Sequence, residues 1–336
     1  MYDVITIGTA TQDVFISSSN IKHLKDPKHL KKIGFPKGEA ECFAMGAKID
    51  LEELDVTYGG GATNTAVTFA RQGLKTASLI RVGDGDIGKG IISNLEKEKI
   101  EPIAIEDKKE KSGYSVIIIT PKGERTILTY RGAASSFKKR EIKVSKLEAK
   151  WVYINPSEIP ISTTKWMIAY FKKKGIKVAI NPSNYYLEKG IRKLKPILKK
   201  VDVVIMNREE AAKLAKVDYD KEKLIFRKFD KVIEGIAVMT DGKNGAYVSD
   251  GRFLYRSGIY KNKNDVIDRT GAGDAFGSGF VAGLAKENDI AFAIKLASAN
   301  ATSVVESIGA QAGILDGKSV KSKRYKYLDL DIEPLI

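Results

Sequence analysis

"DRTGAGDAFGSGF", residues 268–280, is the stretch on which the reading of this chain turns. A glycine-rich turn runs into small and apolar residues with helical spacing. At the start of such a helix the backbone N–H groups of Gly271, Ala272 and Gly273 form a cradle for an anion, and the helix dipole adds positive potential. That arrangement suits a phosphoryl group gathering charge in a transition state. Asp274 then stands where it can act as a base beside the anion. It can equally be a cap or packing residue, and the stretch alone does not choose between these. Gly277, Gly279 and Gly283 predict a helix packed very closely against its neighbours.

Outward from this stretch, short β-rich apolar runs recur: "DVITIGT" (3–9), "TASLIRVG" (76–83), "WVYIN" (151–155), "KVAIN" (177–181), "VDVVIMN" (201–207) and "GIAVMTD" (235–241). Helical spacing fills 60–73, 86–99, 162–174 and 207–216. Strands alternating with helices predict a doubly wound, mostly parallel α/β sheet with helices on both faces. Ligands of such sheets bind at the carboxyl ends of the strands. The polar residues that follow the runs are therefore the ones of interest: 9–13, 83–86, Asn155, Asn181, 207–210 and 240–242. Two regions break the alternation. Residues 17–57 are a long insertion, and 103–130 hold "YSVIIIT" and "RTILTYRG" around "PKGE", a hairpin pattern. "DVFIS", "CFAMGAKI" and this hairpin are expected to form a small separate β-sheet, a lid from about 12–50 and 103–131, on one domain spanning 1–330. The charged segment 22–40 reads as either an ordered functional loop or a disordered one.

Composition narrows the classes. The chain has 336 residues, 43% hydrophobic and 29% charged, enough for a substantial core. No apolar run reaches membrane-spanning length, and "MYDVITIGTA" reads as a strand rather than a leader, so a cytoplasmic protein is expected. One cysteine excludes an internal disulfide framework, and two histidines with it make a dedicated zinc site improbable. The net charge of +15 is spread over scattered lysines without aromatic interleaving, so no nucleic-acid partner is expected. "GDGDIGKG" (83–90) falls short of a P-loop, because Gly90 stands where a Ser or Thr would hold magnesium. "GAGDAFG" is not a dinucleotide fingerprint, since Phe276 occupies the third glycine position.

A second glycine turn, "YGGGATNTAVTFARQG" (58–73), enters another helix. Gly59, Gly60 and Gly61 let a ligand come close to the backbone, and Asn64 offers both donor and acceptor. With Asp13 after the first strand, these make a plausible polyol site, or ordinary turn and cap residues. Taken together, "IGTATQD", "GGGATNTAVTFARQG", "VGDGDIG", "NPSN", "NREE", "MTDGKNGA" and "DRTGAGDAFGSGF" resemble, in content and order, the ribokinase-like, phosphofructokinase-B-type (pfkB) carbohydrate kinases. The resemblance runs from about residue 2 to about 313.

The resemblance implies an ATP-dependent kinase that phosphorylates a hydroxyl of a sugar. It casts Asp274 as the general base and the amides of Gly271, Ala272 and Gly273 as the anion hole. It places Asn181, Asn207, Glu210, Thr240, Gly242, Gly245 and Asn300 around ATP, with Glu210 organising Mg2+ through water. Asp13, Gly60, Gly61 and Asn64 fall at sugar-contact positions. Asp268 and Thr270 match positions that hold a monovalent cation, such as K+, in some members. Thr11 replaces a sugar-binding asparagine of the family, and Gly61 stands where ribokinase has a lysine; both departures weigh against ribose. Arg131 in "TYRGAA" sits where relatives with anionic acceptors have an arginine, or is a surface residue. A homodimer through the lid would cover its exposed edge. A nucleoside kinase of the same superfamily is the alternative, with a non-catalytic binding protein on this scaffold as the second.

Overall fold

Runs rich in Val and Ile that bury both faces are the signature of strands covered by helices on each side. Thr76–Gly83 is the extreme case, with all eight residues buried. The computed structural model describes residues 1–35, 38–119, 125–135 and 137–335. Its strands begin with β1 (Tyr2–Ile7), β2 (Thr11–Ser17), β3 (Lys22–Lys25), β4 (Glu39–Cys42), β5 (Glu53–Gly59), β6 (Thr76–Gly83), β7 (Glu101–Asp107) and β8 (Gly113–Ile119). They continue with β9 (Arg125–Tyr130), β10 (Ala149–Ile154), β11 (Lys177–Ile180), β12 (Val203–Asn207), β13 (Ile236–Thr240), β14 (Ala246–Ser249), β15 (Phe253–Ser257) and β16 (Leu330–Pro334). The helices are α1 (Pro27–Leu30), α2 (Gly61–Arg71), α3 (Asp86–Lys97), α4 (Ile161–Lys173), α5 (Asn184–Leu187), α6 (Gly190–Leu198), α7 (Arg208–Ala215), α8 (Glu222–Phe229), α9 (Ala272–Glu287) and α10 (Ile290–Val304).

The chain divides into two compact units, 1–11 with 58–113 and 131–336, and 12–57 with 114–130. The larger holds a ten-stranded sheet in the order β16-β15-β14-β13-β12-β11-β10-β1-β6-β7. From β7 to β13 the pairing is parallel. The remaining strands add an antiparallel edge that the sequence pattern did not disclose. Alternate residues of each strand serve opposite faces. Ile5, Val152, Val178 and Val204 pack with α4, α6, α7 and α8. Val4, Tyr153, Ala179 and Ile205 pack with α9 and α10.

Helix α9 lies so close to its neighbours that glycine is required. A Cβ on Gly279 would stand 2.9 Å from the Ala297 Cα, and one on Gly283 would stand 2.5 Å from the Ala293 Cα, both on α10. The three glycines singled out in the sequence are the contact surface.

The smaller unit carries a four-stranded sheet, β5-β2-β8-β9, and the two-stranded ribbon β3-β4. The hairpin expected from "YSVIIIT" and "RTILTYRG" is the antiparallel pair β8–β9; its "PKGE" turn lies outside the described residues. Two expectations are corrected. "CFAMGAKI" contributes only Cys42 to a strand, and β5, from "ELDVTYG", takes the place in the sheet assigned to it. Residues 103–107 belong to β7 and pair in parallel with β6, so they lie in the larger sheet and not in a lid. The 22–40 segment contains β3, α1 and the start of β4, with residues 36 and 37 outside the description. Among the described residues no helix is long and apolar enough to cross a membrane.

Substituting Gly283→Val is expected to destabilise the fold by roughly 1–3 kcal/mol, the range for overpacking a filled core. Urea unfolding followed by circular dichroism reads this directly; a midpoint equal to that of the wild type would contradict the close approach of α9 and α10.

Candidate active site

The sheet reverses its winding at β1, which pairs with β6 on one side and β10 on the other. A crevice at such a point, beyond the carboxyl ends of the strands, is where doubly wound sheets bind ligands. Two glycine turns deliver helix starts there. Gly60 takes φ 100° before α2, and a Cβ on it would lie 2.6 Å from the Thr9 carbonyl oxygen. Gly271 takes φ 78° before α9, and a Cβ on it would lie 2.4 Å from the Ala310 Cβ.

The two helix starts differ in what their amides do. At α2, the Gly61 N–H donates to Thr9 Oγ1 at 2.9 Å and the Ala62 N–H to the Thr9 carbonyl at 3.0 Å. These amides are already used. At α9 no side chain caps the helix. Ala272 makes one long bond, 3.4 Å to the Arg269 carbonyl, so among the described residues this expected anion-hole amide is partly engaged within the protein.

Asp274 sits in the first turn of α9 but does not cap it. One carboxylate oxygen accepts from Asn64 Nδ2 at 2.9 Å, the other from Asn155 Nδ2 at 3.4 Å. Asn64 is itself held by Gln311, whose Nε2 donates to its Oδ1 at 3.1 Å. Asn155 Nδ2 also donates to Asn181 Oδ1 at 3.3 Å, and Asn181 Nδ2 donates to the Ile205 carbonyl at 2.8 Å. Burial pushes the Asp274 carboxyl up to about 6, against the opposing pull of the two amides. Beneath it the Tyr153 hydroxyl is fully buried, without a hydrogen-bond partner among the described residues, and a Cβ on Gly277 would lie 2.3 Å from it. Burial first, and the Asp274 charge second, hold that phenol well above its ordinary range, so it stays protonated.

Gly61 acquires a second reason to be glycine. A Cβ there would stand 2.8 Å from both Cβ and Cγ of Asn155, so its missing side chain is what admits Asn155 to the carboxylate.

Along the sheet the ends of four successive strands carry polar residues: Asn155 after β10, Asn181 after β11, Asn207 ending β12 and Thr240 ending β13, the last two directly paired in register. Asn207 and Glu210 form a reciprocal cap on α7. Asn207 Oδ1 accepts from the Glu210 N–H at 2.8 Å, and Glu210 Oε2 accepts from the Asn207 N–H at 2.9 Å. Burial raises the Glu210 carboxyl above its usual value, partly offset by the Asn207 N–H. Gly242 and Gly245, with φ of 54° and 90°, shape the turn after β13.

The remaining expected residues lie as follows. Asp268 is buried and accepts from the Thr270 N–H at 2.9 Å, Thr270 Oγ1 at 2.7 Å and the Gly309 N–H at 3.1 Å, which ties the glycine turn to residue 309. Arg131 is exposed, with Nε 3.5 Å from Glu158 Oε1. Asp13 is a buried residue of β2, in the smaller unit. Asn300 is fully buried, donates to the Ala275 carbonyl at 2.9 Å and Thr68 Oγ1 at 3.2 Å, and accepts from the Leu315 N–H at 3.0 Å. Its amide is spent joining helices. Asn155 and Gln311 enter the site without having been given a role by the sequence. Asn155 followed a strand, which marked it as of interest, but its partner Asp274 is 119 residues away. No group of three or more His, Cys, Asp or Glu among the described residues is placed to hold a metal.

An α/β fold with an uncapped glycine turn, a carboxylate of raised pKa and a row of strand-end amides defines the class to which known proteins can be compared. The solved structure of Arabidopsis thaliana ribokinase complexed with ribose and ATP covers 97% of this chain and 99% of its own, with a TM-score of 0.78 and 21% identity, so the fold is ribokinase-like. Ribokinase of Haemophilus influenzae is 28% identical over 277 residues, covering 80% of this chain and 88% of that protein. The ATP-dependent 6-phosphofructokinase of Thermoanaerobacterium thermosaccharolyticum is 27% identical over 278 residues, covering 79% and 84%. The pfkB family carbohydrate kinase model matches residues 39–316, and the chain belongs to that family.

Two outcomes follow from the Asp274 environment. Because its folded pKa is raised, ionisation costs stability, and the cost grows as pH rises from its ordinary value near 3.8 through about 6. Asp274→Asn is therefore expected to gain stability relative to the wild type across that window and to hold a constant lead above it; denaturant unfolding at pH 4, 6 and 8 measures the gap. In Asn155→Ala the loss of a donor that lowers this pKa should move the carboxyl further above about 6. The Asp274 carboxyl titration, followed by carbon NMR, would then shift upward, and an unmoved titration would show that Asn155 does not reach the carboxylate.

Proposed function

We propose that the chain is an ATP-dependent kinase that transfers the γ-phosphoryl group to a hydroxyl of a sugar or sugar derivative, with Asp274 as general base. The observation that carries this reading is the Asp274 carboxylate, half-buried at the uncapped start of α9 and oriented by Asn64 and Asn155. A carboxyl raised to about 6 is ionised at neutral pH yet basic enough to take a proton. As the acceptor oxygen attacks phosphorus and the bond to ADP breaks, the hydroxyl proton passes to Asp274. The amides of Gly271 and Gly273 and the α9 dipole meet the charge on the transferring group. Phosphoryl transfer depends mainly on such positioning and charge stabilisation.

Asn181, Asn207, Glu210, Thr240, Gly242 and Gly245 form the nucleotide edge in this reading. Glu210 and Asn207 fit a magnesium ion bound mostly by phosphates and water, because one carboxylate and one amide are too few for a protein cage. When bound, the ion neutralises phosphate charge. The Asp268–Thr270 pair acts from one residue beyond, holding the glycine turn in shape.

A phosphoryl-acceptor screen with ATP and magnesium, including sugars, sugar phosphates and nucleosides, tests the class. Turnover of a sugar supports the reading; turnover confined to nucleosides redirects it to that branch, and none with any acceptor removes it. Asp274→Asn is expected to lower kcat at least about 100-fold while leaving ATP affinity within a few-fold. Near-normal turnover in the folded variant would remove Asp274 as the base.

A further inference from the structure

Arg208 follows Asn207 at the start of α7, and its guanidinium is buried at the foot of the Thr240–Gly245 turn. Nη1 donates to Asp241 Oδ2 at 2.7 Å, Nε to the Tyr219 carbonyl at 2.7 Å and Nη2 to Glu222 Oε2 at 3.3 Å. The rings of Tyr219 and Tyr247 lie 4.5 and 5.5 Å from its central carbon. A planar, permanently charged fork can satisfy all these partners at once, and an ammonium cannot.

Asp241 is the hub on the loop side. Its carboxylate also accepts from Tyr219 Oη and, at 3.2 Å, from Asn244 Nδ2. Its N–H donates to the Gly245 carbonyl at 2.8 Å, and its carbonyl accepts from the Asn244 N–H at 3.0 Å. Burial alone would raise this carboxyl, but the bonds from Tyr219, Arg208 and Asn244 outweigh it and hold it below the usual range. The far end of the turn is pinned as well: a Cβ on Gly245 would lie 1.9 Å from the Ser257 carbonyl oxygen. The turn is thus fastened internally by Asp241 and to α7 by Arg208.

We infer that Arg208 is a positioning residue for the nucleotide, which locks the 240–245 turn to the capped start of α7 so that the two present one preformed edge. The inference rests on the ATP reading above. It explains why an arginine and an aspartate are buried beside residues proposed to meet ATP, although neither is itself placed against it. A buried charge pair of this kind gives geometric definition more than net stability.

The test uses Arg208→Gln, Arg208→Lys and the isosteric Asp241→Asn, with MgADP as the calorimetric probe and hydrogen exchange across 240–246. Arg208→Gln is expected to weaken MgADP binding about tenfold, the equivalent of one charge-assisted hydrogen bond, and to speed exchange in the turn. Arg208→Lys should recover only part of the affinity, because it keeps the charge without the fork and the ring contacts. Asp241→Asn should reproduce the loss, and it carries the test if Arg208→Gln fails to fold. Folded variants that bind MgADP like the wild type overturn the inference alone. A wild-type protein that does not bind MgADP overturns the nucleotide reading and the inference with it.

Discussion

The close approach of α9 to everything around it is the constraint on which the site depends. Gly271 fits against Ala310, Gly277 against the Tyr153 hydroxyl, and Gly279 and Gly283 against α10. Each contact would be blocked by a single Cβ. Together they bring the first turn of the helix to the strand ends at the winding reversal of the sheet, where Asp274 meets Asn155. A side chain there loses water without leaving the strand ends, and that is why the Asp274 carboxyl rises to about 6. Packing and acid–base chemistry are one arrangement here: the glycines that let the helix in also set the basicity of its carboxylate.

Around that carboxylate the polar groups are mostly amides. Asn64, Asn155, Asn181 and Gln311 pass hydrogen bonds along a chain that ends on Asp274. Amides orient a carboxylate without supplying a full opposing charge, so they restrain its pKa without cancelling the effect of burial. A lysine or arginine in the same place would hold it ionised and make it a poor base. The Tyr153 phenol beneath it remains neutral for the related reason that it is fully buried beside a negative charge.

The edge formed by the start of α7 and the turn after β13 is built on a different principle. Asn207 and Glu210 satisfy the first amides of α7 with their own side chains, and Arg208 and Asp241 hold the neighbouring turn by a buried ion pair. One edge is thus braced by its own side chains. The start of α9 has no side-chain cap among the described residues. Helix ends that look alike in sequence, a polar or glycine turn before a helical run, diverge in this respect once their surroundings are known.

The alternation of strand and helix, and therefore a mostly parallel sheet, was legible in sequence because it is a local, periodic signal. So were the glycine turns and Asp274 at the start of α9; the cap formed by Asn207 and Glu210, although its partners are three residues apart, was disclosed by the structure. The antiparallel edge β14–β16 was not legible, since β14 and β15 are strands of four and five residues, too short for a clear alternation, and β16 joins β15 from a distant part of the chain. Nor was the place of β5, where apolar content favoured "CFAMGAKI" and hydrogen bonding to β2 chose "ELDVTYG". The partners of Asn300 within the fold, among them the Ala275 carbonyl, were likewise not legible in sequence. Asn155 and Gln311 reach the Asp274 cluster across 119 and 247 residues of chain, Gln311 through Asn64. The sequence determined which chemistry was present; the tertiary fold decided which groups meet, because hydrogen bonds between distant residues depend on packing that no local spacing encodes.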